Sequence, residues 1–372
     1  MRARRSEEEE TATDMKQVRE SAPQLQGMEP YDPKYLKADV LISANESPLD
    51  IPDEVRAAVA ERIGTLAFNR YPDPLANKLR VAIAEHWGLK AANVLAGNGG
   101  DELLYDIFVA WGGPGRKLLN FPPTFSVYET NAALTGTQVV NLPREGEDFH
   151  IDIDKAVAYL EQDRDVSLVV ITSPNNPTGM TTATEDIRRV LDATDALVLV
   201  DEAYGEFAGS TCQELLEDYE NLIILHTFSK AYRCAGIRLG YFLANPSVID
   251  EFKKVRQPYS VDALSQVVCE EVLAHAGLFE PAIEQTRALR DELIARLDAM
   301  EDVRVYPSEA NFVLFHVPFA TSVWERMHKE HSVLVRNVSG DTRLPGCLRV
   351  TVGTKEENER FLAALEDVLA IV

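Results

Sequence analysis

The apolar run Leu222-Ile223-Ile224-Leu225 passes through His226 into Thr227-Phe228-Ser229-Lys230, where polarity changes abruptly. An unbroken apolar run reads as a strand buried on both faces. A lysine directly behind such a strand is costly unless it is paired or put to chemical use. Desolvation depresses an amine's pKa, and the neutral amine is a nucleophile toward carbonyls. Arg238 follows, flanked by Gly236 and Gly240. Read alone, Ser229-Lys230 is better explained as a solvated lysine at a strand end.

Other apolar runs end in chemistry-bearing residues too. Val94-Leu95-Ala96 enters Gly97-Asn98-Gly99-Gly100-Asp101 ahead of a helix. Glycines let a backbone approach a ligand closely, and a helix start offers free N–H groups to an anion. A plain turn with an Asp cap accounts for the same residues, and neither a dinucleotide fingerprint nor a Walker loop is present. The strand expected over residues 117–120 leads to Phe125, which suits either stacking on a flat ligand or the core. Residues 167–172 end in Ser173-Pro174-Asn175-Asn176-Pro177-Thr178-Gly179, a rigid turn that presents the Asn176 amide. Residues 196–200 end in Asp201-Glu202-Ala203-Tyr204. A carboxylate there is poorly solvated and wants a cation, and Tyr204 is placed to point at the same spot.

In open α/β sheets ligands bind beyond the carboxyl ends of the strands. A single ligand that satisfies an anion cradle, an aromatic, an amide, an acid with a phenol, and a lysine with an arginine behind it is aromatic. It carries a phosphate, a protonatable ring nitrogen, a ring hydroxyl and an aldehyde. Pyridoxal phosphate has all four. Asp201 would keep the ring nitrogen protonated, and Lys230 would condense with the aldehyde.

The elements that must position these residues alternate strand with helix or loop between residues 94 and 244, the rhythm of a mainly parallel sheet. Helices are expected over residues 52–62, 77–87 and 103–111, and a strand over residues 241–244 at the sheet edge. From about residue 260 the pattern changes to a long helix (280–299), short strands (303–306, 311–317, 333–335, 347–352) and a closing helix (355–371). The expected fold is therefore α/β, a mainly parallel sheet sandwiched by helices, with a smaller α+β domain. Residues 1–26 read as a flexible acidic arm. Residues 27–51 read as a segment contributing to the small domain and the active site, 52–262 as the large domain and 263–372 as the small one.

The 372 residues are 45% hydrophobic and 26% charged, as in ordinary globular chains. Sixty acidic against 37 basic residues give a net charge of −23, which argues against nucleic acid and anionic membranes as partners. No apolar run approaches the roughly 18 residues of a membrane span, and the first residues lack a signal-peptide core, so a cytoplasmic protein is expected. The four cysteines are scattered, without a Cys-x-x-Cys pair, and fit a reduced compartment. His328 and His331 lack a metal-site partner and read as a solvated helix face.

In combination the motifs resemble the fold type I pyridoxal-phosphate-dependent aminotransferases, and within them the histidinol-phosphate aminotransferases. The resemblance runs from about Tyr31 to the C-terminus. It is carried by Ala44-Asn-Glu, Tyr71-Pro-Asp-Pro, Gly97-Asn-Gly, Pro122-Pro-Thr-Phe, Pro174-Asn-Asn-Pro-Thr-Gly, Asp201-Glu-Ala-Tyr, Thr227-Phe-Ser-Lys, Ala235-Gly-Ile-Arg-Leu-Gly, Ser308-Glu-Ala-Asn-Phe and Leu348-Arg-Val-Thr-Val-Gly-Thr. It implies that Lys230 is the covalent anchor and the proton carrier, that Asp201 pairs with the ring nitrogen, and that Tyr204 and Asn176 bond the ring hydroxyl. Phe125 then stacks on the ring. The phosphate falls to Gly99, Gly100, Asp101, Thr227, Ser229 and Arg238, joined by Tyr71 from a second subunit of a homodimer. Arg349 grips the substrate α-carboxylate, and Tyr31, Asn45 and Arg336 meet its distal part, where a phosphate suits Arg336.

The implied reaction is transamination between histidinol phosphate and 2-oxoglutarate in histidine biosynthesis. The alternatives are a broad aromatic aminotransferase and a threonine-phosphate decarboxylase on the same scaffold. The chain departs from the family at Phe125, where tyrosine is common, in Ser47-Pro-Leu-Asp, and in Ala231-Tyr-Arg-Cys-Ala-Gly. There Arg233 either adds a cation beside the lysine or turns outward, and the outward orientation is preferred.

Overall fold

The computed structural model describes residues 18–28 and 36–371. Tyr31 and most of the expected acidic arm lie outside the described residues. The chain divides into two compact units, residues 1–33 and 34–372. In the first, the described stretch holds a single 3-10 turn, Pro23–Leu25.

In the second unit a short strand β1 (Val40–Leu41) precedes seven strands that build one sheet: β2 (Val94–Asn98), β3 (Lys117–Asn120), β4 (Gln138–Asn141), β5 (Val166–Thr172), β6 (Leu197–Asp201), β7 (Leu222–Thr227) and β8 (Leu239–Ala244). Their order in space is β2-β8-β7-β6-β5-β3-β4. All neighbours run parallel except β8, which is antiparallel to both β2 and β7. The carboxyl ends of the other six strands therefore point to one edge.

The apolar runs are unbroken because both faces are covered. Successive side chains of a strand point to opposite faces. Val198, Val200, Leu222 and Ile224 accordingly join one core, with Leu79 and Ile83 of the helix Asn77–Trp87 and Val190 of the helix Thr184–Asp192. Leu197, Leu199, Ile223 and Leu225 join another, with Ile107 and Phe108 of the helix Gly99–Trp111.

The strand expected at the sheet edge is instead interior. β8 begins at Leu239 and lies between β2 and β7. Leu239, Tyr241 and Leu243 enter the first core and Phe242 and Ala244 the second, and a strand apolar on both faces belongs inside a sheet. Gly240 makes the fit possible, since a Cβ there would stand 2.7 Å from the Gly100 nitrogen. The true edge on the far side is β4, whose Gln138 and Asn141 are exposed.

A second sheet is antiparallel, in the order β12-β13-β10-β9, with β9 (Arg304–Val305), β10 (Phe312–His316), β12 (Arg336–Asn337) and β13 (Cys347–Thr351). The strand β11 (Val333–Leu334) pairs in parallel with β1. Val313, Phe315, Leu348 and Val350 pack there against Val323 and Met327 of the helix Ala320–His331 and against Phe361 and Leu365 of the helix Lys355–Leu369. Thr354 and Glu357 close the start of that last helix as a capping box. The helix Ala263–Ala274, which the sequence places beyond the domain boundary, gives Val268, Cys269 and Val272 to the core of the large sheet. Among the described residues, no helix is long and apolar enough to cross a membrane, and no His, Cys, Asp and Glu cluster suits a metal ion.

Candidate active site

Asp201 is the last residue of β6 and only 4% exposed. The Tyr128 hydroxyl donates to its Oδ2 at 2.6 Å, and the Ala203 N–H donates to its Oδ1 at 3.0 Å. Burial lifts its pKa to about 6 against the lowering effect of these donors, and among the described residues no cation acts on it. A buried carboxyl served only by neutral donors is a seat for a protonated ligand nitrogen. Tyr128 is itself fully buried and shares its hydroxyl with Thr172 Oγ1 at 2.9 Å, at the end of β5. Burial first, then Asp201, pushes its phenol well up, so it stays a donor.

Tyr128 and Thr172 were not among the sequence candidates. Nothing local marked them: Tyr128 is in the first turn of the helix Val127–Thr135 and Phe125 lies just before that helix. Their rings meet edge to face at 5.8 Å, and Phe125 remains half-buried.

The glycine stretch forms a narrow cradle. Gly99 opens the helix Gly99–Trp111 at φ +77°, and a Cβ there would lie 2.7 Å from Arg238 Nη2. Only glycine combines that backbone conformation with that approach. Arg238 Nη2 reaches the Asp101 carboxylate at 2.8 Å. Gly97 and Thr227 both lie opposite Gly240 on β8, so cradle and strand end are in register across the sheet. The hydroxyl of Thr227 donates to Ser229 Oγ at 3.0 Å and accepts the Ser229 N–H at 3.1 Å. Hydroxyls, a guanidinium and helix-start N–H groups together make an anion site.

Lys230 is half-buried, and its Nζ donates to the Ala44 carbonyl at 3.1 Å. Burial, then the nearby Arg349, lowers its pKa to about 8, which leaves a usable fraction of neutral amine near pH 7. The Tyr204 ring centroid is 5.9 Å from Nζ, and the Tyr204 hydroxyl accepts from Asn45 Nδ2 at 2.9 Å. Asn45 holds a left-handed φ of 55°, fixed by its N–H to Thr351 Oγ1 at 2.9 Å and by Asn311 Nδ2 to its carbonyl at 3.1 Å.

Arg349, on β13, donates from Nη1 to Asn176 Oδ1 and from Nη2 to the Ser43 carbonyl at 2.8 Å. Arg336, on β12, is its register partner. Lys230 and Arg349 thus bond adjacent carbonyls of Ala44 and Ser43, next to Asn45, which holds Tyr204. Tyr71 is 82% exposed and stacks on Tyr259 with centroids 4.6 Å apart.

Arg233 is not turned out to solvent. It lies over the Phe279 ring at 5.5 Å, donates to the Asp50 carbonyl at 2.8 Å and lines the same cleft as Lys230. The aromatic ring and the carbonyl hold a guanidinium there better than water would.

Residues 38–365 match the family described as aminotransferase class I and II. The chain belongs to that family. As a class I and II aminotransferase it is 39% identical to histidinol-phosphate aminotransferase 1 of Carboxydothermus hydrogenoformans, over 92% of this chain and 96% of that one. It is 38% identical to the histidinol-phosphate aminotransferase of Chlorobium phaeovibrioides, over 88% and 91% of the two chains. Its fold superposes with a TM-score of 0.86 on the histidinol-phosphate aminotransferase of Sinorhizobium meliloti in complex with pyridoxal-5'-phosphate, at 24% identity and covering 96% and 99% of the two chains.

Proposed function

We propose that this aminotransferase moves the amino group of histidinol phosphate to 2-oxoglutarate, using pyridoxal phosphate. The observation that carries the substrate assignment is the register pairing of Arg336 with Arg349. Directly opposite residues of an antiparallel pair project from the same face, so both arginines could serve one dianion. Histidinol phosphate carries a phosphate where an amino acid carries its α-carboxylate. Arg349 alone serves the α-carboxylate of 2-oxoglutarate, and Asn45 and Arg336 meet the rest of the substrate. Relatives at 38–39% identity that bear the histidinol-phosphate name support the reading.

The residues present fit the cofactor. The cation-free buried carboxyl of Asp201 suits the pyridine nitrogen, and the cradle at Gly99, Gly100 and Asp101 with Thr227, Ser229 and Arg238 suits the phosphate. The amine of Lys230 suits the aldehyde. When bound, pyridoxal phosphate supplies an electron sink that stabilises negative charge at the substrate α-carbon. Asp201 would keep the ring nitrogen protonated, Tyr204 and Asn176 would hold the ring hydroxyl, and Phe125 would cover the ring face. Lys230 would hold the cofactor through its aldehyde and would be the base that carries the α-proton. Tyr71, exposed on its own subunit, reaches the phosphate of the neighbouring subunit in a homodimer.

The test is a screen of amino donors with 2-oxoglutarate as acceptor. Histidinol phosphate is expected to exceed phenylalanine in kcat/KM by about 100-fold, the worth of charge-assisted bonds to one phosphate. Comparable values for the two donors would overturn the narrow assignment, and carbon dioxide release without an oxo acid would identify a lyase.

A further inference from the structure

The stretch Ser308-Glu309-Ala310-Asn311-Phe312 leads into β10, and the chemistry assigned above makes no use of Glu309. It is nevertheless bonded to the turn that follows β5. The Glu309 N–H donates to the Gly179 carbonyl at 2.8 Å. Glu309 Oε2 accepts from the Thr181 N–H at 3.2 Å and also from the Thr181 hydroxyl. Hydrogen bonds to a carboxylate are stronger than those between neutral groups, and both side chains are half-buried. Beside them, Ser308 leaves no room for a Cβ at Gly179.

The far side of the same turn is tied to the large sheet's own loops. Asn175 Nδ2 donates to the Pro123 carbonyl at 2.9 Å, and the Thr124 hydroxyl donates to Asn175 Oδ1 at 2.8 Å. Between these anchors the turn presents Asn176, whose Oδ1 accepts from Arg349 Nη1. Arg349 lies on β13 directly opposite Leu314 of β10. The turn therefore meets the small sheet twice, at Arg349 through β13 and at Glu309 ahead of β10.

A ligand treats the two contacts differently. A substrate carboxylate competes with Asn176 for the Arg349 guanidinium, since both are acceptors for the same N–H groups. The bonds of Glu309 to Gly179 and Thr181 involve no group assigned to a ligand, so they persist when Arg349 turns to substrate.

We infer that Glu309 is a positioning residue for Arg349 and Asn176: its bonds to Gly179 and Thr181 hold the small sheet to the turn after β5 and so set the spacing between the carboxylate grip and the Asn176 amide while substrate occupies Arg349. The inference rests on the reading of Arg349 as the grip on the substrate α-carboxylate. Without the Glu309 carboxylate, the turn is tied to β13 by the very bond that substrate displaces. Part of the binding energy then goes into bringing the guanidinium back into place.

The measurement is calorimetric titration with 2-oxoglutarate, beside absorbance titration of the cofactor-free protein with pyridoxal phosphate. The first uses full-length protein loaded with pyridoxal phosphate, a form with no amino group to hand over, so the acid binds without reacting. Glu309→Ala is expected to weaken 2-oxoglutarate binding by about 10-fold. Its affinity for pyridoxal phosphate should stay within ~2-fold of wild type, because Asn175 still holds the turn to the large sheet. Glu309→Gln keeps an acceptor oxygen for Thr181 and should restore 2-oxoglutarate binding to within ~2-fold of wild type. An unchanged 2-oxoglutarate affinity in Glu309→Ala overturns the proposal. So does an equal loss for 2-oxoglutarate and pyridoxal phosphate, which would make Glu309 a support of the fold alone. If Glu309→Ala does not fold, Thr181→Val decides: loss of the hydroxyl weakens 2-oxoglutarate binding by about 3-fold, and an unmoved affinity overturns the positioning role. Failure of the reading of Arg349 looks different, because Arg349→Ala protein would then bind 2-oxoglutarate as wild type does.

Discussion

Arg336 on β12 and Arg349 on β13 stand directly opposite each other in an antiparallel pair, so their side chains leave the sheet on the same face. Arg349 is tied to Asn176 and Ser43, whereas Arg336 belongs to a strand of two residues. The two are therefore expected to divide their work. Arg336→Ala should lower kcat/KM for histidinol phosphate by about 10- to 100-fold, the range of one lost charge-assisted contact. Alanine, whose single carboxylate needs only the grip of Arg349, should lose a few-fold at most. Equal losses for the two donors would contradict a phosphate contact at Arg336.

Tyr128 is the strongest donor to Asp201, and removing its hydroxyl isolates that role because the ring stays in the core. Tyr128→Phe leaves Asp201 with a single backbone donor and a carboxyl that ionises less readily. Its pKa, already about 6, moves up, since hydrogen bonds to the charged form had been holding it down. The acid limb of the kcat/KM profile should shift to higher pH, and kcat at pH 7 should fall by about 10-fold or more. A variant whose acid limb coincides with that of wild type would remove Tyr128 from the site.

What could be read in the sequence followed from local chemistry. Asp201, Lys230 and Thr227 were legible because each ends a run that needs two covered faces, and parallel strands bring such ends to one edge. Gly99 and Gly100 were legible only alongside the other strand ends, since a plain turn accounts for glycines there as well. The interior place of β8 was not legible, since pairing order is a long-range property. Tyr128 reaches Asp201 across 73 positions, and its own surroundings look like any buried helix. The outward orientation expected of Arg233 fails because nothing in the sequence places Phe279 beneath it.

Gly99 tests the cradle directly. An alanine there would combine φ +77° with a Cβ 2.7 Å from Arg238 Nη2. The backbone conformation alone costs about 1 kcal/mol, and the guanidinium must also retreat from the phosphate seat. Gly99→Ala should bind pyridoxal phosphate at least ~10-fold more weakly, from the same order of energy, with little change in far-ultraviolet circular dichroism. Titration of the cofactor-free protein by absorbance measures it, and unchanged affinity would show that the phosphate is held elsewhere.

Beneath the site, three titratable side chains are enclosed together. His226 lies 3.4 Å from Glu202 and 3.9 Å from Glu206. Burial raises Glu206 to about 8 and Glu202 to about 7, and lowers His226 to about 3. Glu206 is also pushed up by Glu202 and Glu280. Its folded pKa lies above the ordinary 4.5, so the folded chain keeps a proton that the unfolded chain releases. The stability this confers is complete below pH 4.5 and lost as pH rises through about 8, at about 1.4 kcal/mol per pH unit between those limits. Glu206→Gln removes that proton and leaves the opposing contributions of Glu202 and His226 in both proteins. Urea unfolding at pH 5.5 and pH 7.5 should therefore show the variant gaining on wild type as pH rises, by about 2–3 kcal/mol over the interval. Parallel stability curves would mean that Glu206 is already ionised in the fold and paired with a protonated His226.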